Sequence, residues 1–385
     1  MLTIWPFTLS FLIFATLAFF APFVVLFYQQ LQFTGPQIGL LVGLSPLITL
    51  LTTPFWTGWA DTRRQHRLVM SLLLVGAALS LAVLPLLTSF FPVLLLALLF
   101  SIFYSPLTSF ADSATMIMLA ERKEMYGRVR VGGTIGFGLA APVAGFLVQS
   151  YGLKAAFWGG AVLLLLALIV SQKLVHGHPP SIETAKPRFR DLLVNRQWYF
   201  FLALAFFGGV AMSATNNYLF PYLQELNTNE TTMGLVLTFG TFSEIPVLFF
   251  GYYLLKRFKP YGLLRLAMVI TGLRLMFFAL SRSPDHILIL QLFNGLTFPA
   301  MWMAGVAYAD EQAPAGLRTT AQGLFGVMVG SIGAAAGGFI GGALLESLRG
   351  RGLFLLYGTI TLVATIVIGL WQSRYPAQQL EAGNN

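Results

Sequence analysis

Three ionisable residues lie where the sequence is otherwise apolar: Asp112, Arg128 and Arg130. An apolar run from about 92 to 119, if helical, contains Asp112 roughly two turns before its end. The next apolar run begins near Tyr126 and has both arginines in its first turns. A charge inside a bilayer is costly and rarely persists without a partner or a water-filled cavity. The spacing therefore predicts that Asp112 and Arg130 share an intramembrane binding site, with Arg128 nearer the membrane boundary. A static ion pair that locks the two helices is the alternative.

A second pair of charges, Glu244 and Arg274, lies midway along two later apolar runs. These runs are consecutive and therefore antiparallel, so the two side chains could approach each other near the membrane midplane. The histidines all fall in loops or at the ends of runs: His66, His176, His178 and His286. Carboxylates must then carry any proton that crosses, and we predict Glu244 and Asp112 for that role, with Arg274 beside Glu244. A buried static pair is again the alternative.

An uncharged polar face on the seventh apolar run is formed by Asn216, Asn217, Tyr218 and Tyr222. Amides within a membrane span commonly serve helix packing, and they can equally line a cavity. We expect Asn216 and Asn217 to contact the substrate if the second interpretation holds.

The composition indicates a polytopic membrane protein. Of the 385 residues, 57% are apolar and only 10% are charged, and apolar runs of about 20 residues recur along the chain. The net charge of +9 is spread over short loops and forms no basic aromatic face, so membrane lipid and not nucleic acid is the expected partner. With no cysteine and none of the common hydrolase, metalloprotease or nucleotide-binding motifs, neither an enzyme nor a bound cofactor or metal is expected.

Twelve transmembrane helices are predicted, at about 4–31, 36–60, 67–88, 92–119, 127–150, 153–174, 198–225, 232–255, 261–281, 285–310, 318–346 and 352–374. Most loop arginines and lysines fall on one side of the membrane, and four basic residues fall on the other: Lys154, Arg282, Arg349 and Arg351. The positive-inside rule makes the crowded side cytoplasmic and puts both termini inside. We expect a plasma membrane location, in bacteria the inner membrane.

The chain divides into two similar halves. The longest polar interruption, 176–197, contains three prolines and mixed charges and is typical of a linker. Two segments share a pattern of a glycine, a basic turn and an apolar span. They are GWADTRRQHRLVMSLLLVGAAL after the second helix and GYYLLKRFKPYGLLRLAMVITGL after the eighth. We therefore predict six-helix bundles at 1–175 and 198–375, a cytoplasmic linker at 176–197 and a cytoplasmic tail at 376–385, with a binding site between the bundles as in secondary transporters.

These features resemble the major facilitator superfamily, in particular its lactose-permease-like branch with the phenylpropionate permeases and nucleoside symporters. Asp112 followed by YGRVRVGGTIGF is similar to the permease pattern of an acidic residue in helix four and FGRAR at the start of helix five. The resemblance implies that Asp112 and Arg130 bind substrate with an aromatic ring at Phe137. It likewise implies that Glu244 in TFGTFSEIPVLFF binds substrate and that Arg274 in GLRLMFF takes part in proton handling.

Two departures from the permease pattern bear on coupling. In helix ten the family has a lysine, a histidine and a glutamate where this chain has Gln291, Asn294 and Thr297. In helix seven, Asn216 and Asn217 replace aspartates. A coupling mechanism identical to that of lactose permease is therefore not expected.

The loop after the second helix, GWADTRRQHR, is similar to the superfamily's loop signature, although Gly58 lies one place too near Asp61. The resemblance implies a cytoplasmic gating latch formed by Asp61, Arg63, Arg64 and Arg67. Simple positive-inside orientation would explain the arginines and leave the aspartate unexplained.

The sequence favours a secondary active transporter that imports a small polar or anionic organic solute, such as a sugar, a nucleoside or an aromatic acid, together with protons. The proton is the expected coupling ion, the fold is all-α with twelve spans in two pseudo-symmetric bundles, and a monomer is expected. A proton-driven exporter of a more apolar molecule and a non-transporting receptor of the same fold remain alternatives.

Overall fold

The structure is a computed structural model that describes residues 3–120, 122, 125–175, 196–314 and 317–374. Most of the predicted linker and all of the predicted tail, 376–385, lie outside the described residues. Within those ranges every element of regular secondary structure is a helix. The all-α prediction is confirmed.

Ten spans can be read directly from helix length and apolar composition. They are α1 Ile4–Gln30, α2 Gly35–Arg63, α3 His66–Leu86, α4 Phe90–Leu119, α5 Tyr126–Tyr151, α6 Lys154–Ser171, α7 Arg196–Glu225, α8 Glu230–Phe249, α9 Pro260–Leu280 and α10, the bent pair Pro284–Gln291 and Asn294–Gln312. A short helix, Gly251–Phe258, follows α8.

The last helical stretch, Arg318–Gln372, is 55 residues long. A straight helix of that length would measure about 80 Å, far more than the ~30 Å hydrocarbon core. Arg349 interrupts it with φ 51°, and beyond this point the Tyr357 hydroxyl donates to the Gly337 carbonyl of the preceding helix. The chain therefore reverses at Arg349, and we name the two spans α11, 318–348, and α12, 350–374. The described part of the chain thus contains the twelve predicted spans.

Two of the predicted continuous helices are broken, which corrects their predicted form. The fourth span consists of Phe90–Tyr104 and Leu107–Leu119, separated at Pro106. The tenth is interrupted between Gln291 and Phe298 and bends by 54°. Both breaks precede a helix start at which a proline, Pro106 or Pro299, fits without a backbone N–H.

The two halves repeat the same packing. In the first half α1 packs against α5 and α6, α3 against α4 and α6, and α2 against α4. In the second half α7 packs against α11 and α12, α9 against α10 and α12, and α8 against α10. Shifting the helix numbers by six converts one set into the other. The fold is therefore two pseudo-symmetric six-helix bundles, as predicted.

The bundles meet mainly along two helix pairs, α2 with α11 and α5 with α8, and also where the outer part of α1 packs against α7. We call the span ends next to 31–34, 87–89, 152–153, 226–229, 281–283 and 349 the outer ends, following the predicted orientation, and the opposite ends the inner ends. In the first pair Gly39 packs directly against Gly342, and the Gly35 amide donates to the Glu346 carboxylate at 2.6 Å. In the second pair the Thr238 hydroxyl donates to the Gly138 carbonyl at 2.9 Å.

These contacts between the halves cluster from the middle of the spans to their outer ends. At the inner ends, side chains added at Gly58 in α2, Gly127 in α5 or Gly323 in α11 would meet no neighbouring atom within 4 Å. By contrast, several glycines from the middle to the outer ends of these helices touch the opposite bundle: Gly35, Gly39 and Gly43 of α2, Gly138 and Gly145 of α5, and Gly338 and Gly342 of α11. The outer side is therefore closed, and the bundles separate toward the inner side.

Candidate functional site

In the first bundle the structure brings Asp112 and Arg130 together. Asp112 lies on the inner part of α4, after the break at Pro106, and Arg130 lies just over one turn into α5. The Arg130 Nε is 4.0 Å from the Asp112 Oδ1, and the two side chains are 37% and 39% exposed, respectively. This separation is too long for a tight ion pair, and it leaves donors and acceptors accessible for a solute.

Two aromatic residues that were not predicted from the sequence complete this site. The Arg130 guanidinium carbon lies 4.3 Å from the centre of the Phe14 ring of α1, within cation–π range. The Tyr126 side chain lies next to both Asp112 and Arg130. Tyr126 is four residues before Arg130 and therefore on the same face of α5, which is the signal that could have identified it. Phe14 comes from a helix distant in sequence and left no such signal.

Glycine at position 133 makes room for this arrangement. A Cβ there would lie 2.7 Å from the Arg130 Nη1 and 2.8 Å from the Phe14 ring. A larger residue would push the guanidinium off the ring, so Gly133 keeps Arg130 in place.

The other predicted contacts of the first site are less closely joined to it. Arg128 is exposed, as expected near the boundary, and Phe137 is partly buried against the core two turns further along α5. On α7, Asn216 is exposed, while Asn217 donates to Ser213 of its own helix at 2.9 Å. Their predicted substrate contacts stay predictions.

In the second bundle Arg274 is almost fully buried, with 5% of its surface exposed. Its guanidinium donates to four uncharged acceptors, all supplied by α10: the Leu290 carbonyl at 3.2 Å, the Asn294 Oδ1 at 2.9 Å, the Thr297 hydroxyl at 3.1 Å and the Gln291 Oε1. The ring of Phe278 lies 4.9 Å from the guanidinium carbon. The three residues that depart from the permease pattern in helix ten therefore all bind Arg274.

The acceptors of Arg274 lie at the break in α10. The Leu290 carbonyl there accepts the Phe293 amide at 3.2 Å and, with its second lone pair, the Arg274 Nε. The Ser243 hydroxyl of α8 lies 3.0 Å from the Gln291 carbonyl and accepts the Gly295 amide at 3.2 Å. Side chains of neighbouring helices thus satisfy the backbone groups that the break exposes, as a membrane interior requires.

Glu244 approaches Arg274 through an intermediate residue. The Asn294 Nδ2 donates to the Glu244 Oε1 at 2.8 Å, and the Asn294 Oδ1 accepts from Arg274. The two charged groups, predicted as neighbours, are thus joined by an amide and make no direct ion pair among the described residues. Glu244 is half-buried, unlike Arg274.

The two sites lie at similar depth. Gly145 touches Glu230, Gly138 touches Thr238, and this register shows that α5 and α8 run antiparallel. Extending the register places Glu244 level with about residue 132, so that Arg130 and Glu244 differ in depth by about 3 Å. Charged side chains of both bundles therefore lie in the inner half of the membrane, on the side where the bundles separate.

The predicted gating loop makes contacts inside the first bundle. The Asp61 carboxylate pairs with the His66 ring at 2.8 Å, and the Arg67 Nε donates to Gln172 of the loop after α6 at 2.9 Å. Arg63 and Arg64 are exposed at the end of α2. The gating role stays a prediction.

Two pseudo-symmetric six-helix bundles, closed on one side around charged side chains of both halves, define a secondary transporter. The model of the MFS_1 like family matches residues 7–356. Maltose permease of Geobacillus stearothermophilus is 26% identical over 374 residues, which are 97% of this chain and 95% of that protein. The putative nucleoside transporter YegT of Escherichia coli is 25% identical over 353 residues, which are 86% of this chain and 81% of that protein.

The crystal structure of the nucleoside transporter NupG superposes with a TM-score of 0.83 at 18% identity, covering 97% of this chain and 100% of that one. The chain belongs to the MFS_1 like family of the major facilitator superfamily. It is a multi-pass membrane transporter of small solutes and not an enzyme, and the resemblance inferred from the sequence is confirmed.

Proposed function

We propose that this protein is a proton-coupled symporter that takes up a small polar or anionic organic solute by alternating access. Within that class we favour a sugar or a nucleoside over an aromatic acid. In this proposal the first bundle binds the solute through Asp112 and Arg130, with Tyr126 and Phe14 beside them. The second bundle carries the proton on Glu244. The proposal places the protein in the plasma membrane, with both termini cytoplasmic as the positive-inside rule predicts.

The observation that carries the proposal is that the two bundles contain different kinds of charged site. The first offers a loosely spaced carboxylate and guanidinium with an aromatic ring, groups that suit a hydroxyl-rich or anionic solute. The second offers a half-buried carboxylate beside a buried guanidinium whose direct acceptors, among the described residues, are uncharged. A carboxylate in such a setting can gain and lose a proton as its access to water changes.

The relatives support the substrate class. A maltose permease and a putative nucleoside transporter match most of this chain. Maltose and nucleosides share several hydroxyl groups, which carboxylate and guanidinium side chains bind well. This favours an uncharged hydroxyl-rich solute within the broader polar class.

Uptake into proteoliposomes tests the proposal. A thermal-shift screen of sugars, nucleosides and aromatic acids first identifies the solute, whose uptake is then followed under an inward proton gradient. We expect accumulation that a protonophore abolishes. Accumulation only under an outward-directed proton gradient would instead establish a proton-driven exporter, and solute binding without movement would establish a receptor.

The variant Glu244→Gln tests the assignment of the proton. It keeps the shape of the side chain and removes its ability to ionise, so we expect loss of proton-driven accumulation while solute exchange across the membrane without a gradient continues. Thr271→Val is the matched control, because the Thr271 hydroxyl bonds only to Ala267 of its own helix in the contacts of the described chain. Unchanged proton-driven accumulation in Glu244→Gln would remove Glu244 from the mechanism.

A further inference from the structure

Asn294 bonds to both charged groups of the candidate site in the second bundle, Glu244 and Arg274. Its Nδ2 lies 2.8 Å from the Glu244 Oε1, and its Oδ1 accepts from the Arg274 Nη1 at 2.9 Å. Only an N–H can face the carboxylate and only a carbonyl oxygen can face the guanidinium. The two charged partners therefore fix the orientation of the amide.

Glu244 is the carboxylate that reaches Arg274 through this amide. The remaining charged groups of the helices packed around Glu244 lie elsewhere along those helices: Glu230 on α8, Lys256 and Arg257 on the short helix after α8, Arg128 and Arg130 on α5, Arg265 on α9, and Asp285, His286, Asp310 and Glu311 on α10. None of them forms an ion pair with Glu244 among the described residues. A change in the charge of Glu244 therefore acts first on Arg274, through the Asn294 amide that joins them.

Asn294 also stands at the bend of α10. It is the first residue of the short 3₁₀ turn Asn294–Leu296, and its own carbonyl accepts the Thr297 hydroxyl at 2.6 Å. Its amide reaches the Gly240 carbonyl of α8 at 3.3 Å as well. The position of this one side chain is therefore tied to the 54° angle between the two parts of α10.

We propose that Asn294 is a positioning residue that transmits the protonation state of Glu244 to Arg274 and to the bend of α10. The inference rests on the proposed function, in which Glu244 carries the proton. While Glu244 is ionised, its charge-assisted bond holds the amide, and the amide presents its oxygen to Arg274. Once Glu244 is protonated, that bond becomes a neutral one of roughly half the strength.

Protonation also leaves Arg274 without a compensating negative charge in a buried position. A buried charge without compensation is strongly unfavourable, and the protein can relieve it by moving the charge toward water. The four acceptors of Arg274 are all on α10 at or next to its bend, so a change in the angle of α10 is the motion that shifts them together. Proton binding at Glu244 is thereby coupled to a rearrangement of α10.

Two substitutions at this position separate its two bonds. Asn294→Ala removes both the donor to Glu244 and the acceptor for Arg274. Asn294→Asp has the same shape and keeps the acceptor, but it faces Glu244 with a second carboxylate. Thr271→Val on α9, one turn before Arg274, serves again as the matched control.

Proton-driven uptake and solute counterflow without a gradient are measured for each variant across a range of pH. We expect Asn294→Ala to keep counterflow and to lose about tenfold or more of the driven accumulation. In Asn294→Asp the pH profile of uptake moves to higher pH, because a second carboxylate next to Glu244 favours its protonated form. Thr271→Val behaves as the unaltered protein.

The outcomes distinguish the two proposals. If the unaltered protein shows no proton-driven uptake, the proposed function fails and this inference with it. If it does, but both Asn294 variants keep its pH profile, only the role of Asn294 is overturned. Should Asn294→Ala lose counterflow as well through misfolding, the pH profile of Asn294→Asp alone decides.

Discussion

Among single side chains, Arg274 departs most from what a buried charge usually requires. Such a charge is commonly paired with a carboxylate, whereas the Arg274 guanidinium is held by a backbone carbonyl, two amides and a hydroxyl. Gln291, Asn294 and Thr297 occupy the positions where the permease pattern has ionisable residues. The chain has thus kept the arginine and replaced its ionisable neighbours with uncharged acceptors, which leaves Glu244 as the titratable group of this site.

Replacing one of these acceptors tests how much they stabilise the fold. Gln291→Leu keeps the volume of a side chain that is 2% exposed and removes an acceptor of Arg274. We expect a loss of about 1–3 kcal/mol in the free energy of unfolding, because a buried donor is left without a partner. Thermal unfolding in detergent measures the change.

The control is Gln149→Leu, which removes an exposed amide bonded to Thr231 at the outer end. We expect its effect to stay within about 0.5 kcal/mol. Equal melting temperatures for Gln291→Leu and the unaltered protein would mean that water satisfies Arg274 in place of the glutamine.

The charged residues that the structure brings together were named from the sequence, whereas the bonds that their uncharged neighbours make were not predicted. A carboxylate or guanidinium within an apolar run is conspicuous, so Asp112, Arg130, Glu244 and Arg274 could be recognised from residue type alone. The bridging position of Asn294 depends on the break in α10 and on how the helices are rotated, and neither is encoded in the spacing of apolar residues.

Among the helices, the predicted number and order are correct, while the breaks in α4 and α10 were not predicted. Span length is set by the bilayer, so twelve apolar runs are readily counted. Prolines do not reveal where a helix breaks, because five of them lie inside continuous helices: Pro46, Pro54, Pro142, Pro221 and Pro246. Neighbouring helices decide which proline ends a helix by satisfying the freed backbone groups, as Ser243 does for α10.

The contact between α2 and α11 leads to a prediction about the closed outer side. The Glu346 carboxylate accepts from the Gly35 amide at the N-terminus of α2 and so joins the two bundles with a charge-assisted bond. We expect the fraction of molecules with an open outer side to be larger for Glu346→Ala than for the unaltered protein. Ile38, which is 1% exposed and lines a pocket of about 440 Å³ beside this contact, is the reporter position, as Ile38→Cys.

Because the chain contains no native cysteine, a membrane-impermeant maleimide reports on this single thiol. Labelling should rise by about tenfold in Glu346→Ala, the change that ~1.4 kcal/mol produces. Glu225→Ala is the matched control, since Glu225 accepts from the Gly350 amide within one bundle and lines the same pocket. A similar rise in both variants would point to general loosening and not to a bond between the bundles.

For the molecule as a whole, the structure captures one of the two states that alternating access requires. The repeated sequence patterns predicted the two bundles, and the packing of α2 with α11 and of α5 with α8 agrees with that symmetry. Which side is closed could not be predicted, because both states use the same apolar faces and differ only in a small balance of free energy. Rocking of the bundles about these two helix pairs would exchange the closed and open sides.

Locking the outer ends together should therefore stop transport. Gln149 on α5 and Thr231 on α8 touch across the two bundles, so Gln149→Cys with Thr231→Cys places two thiols within reach of a short bifunctional methanethiosulfonate. We expect the cross-link to abolish uptake, because the solute can no longer enter from the outer side, and a reducing agent to restore it. Each single cysteine variant, treated in the same way, should keep its uptake. A cross-linked protein that still takes up solute would show that its outer ends need not separate, and a path through the middle of one bundle would then have to be sought.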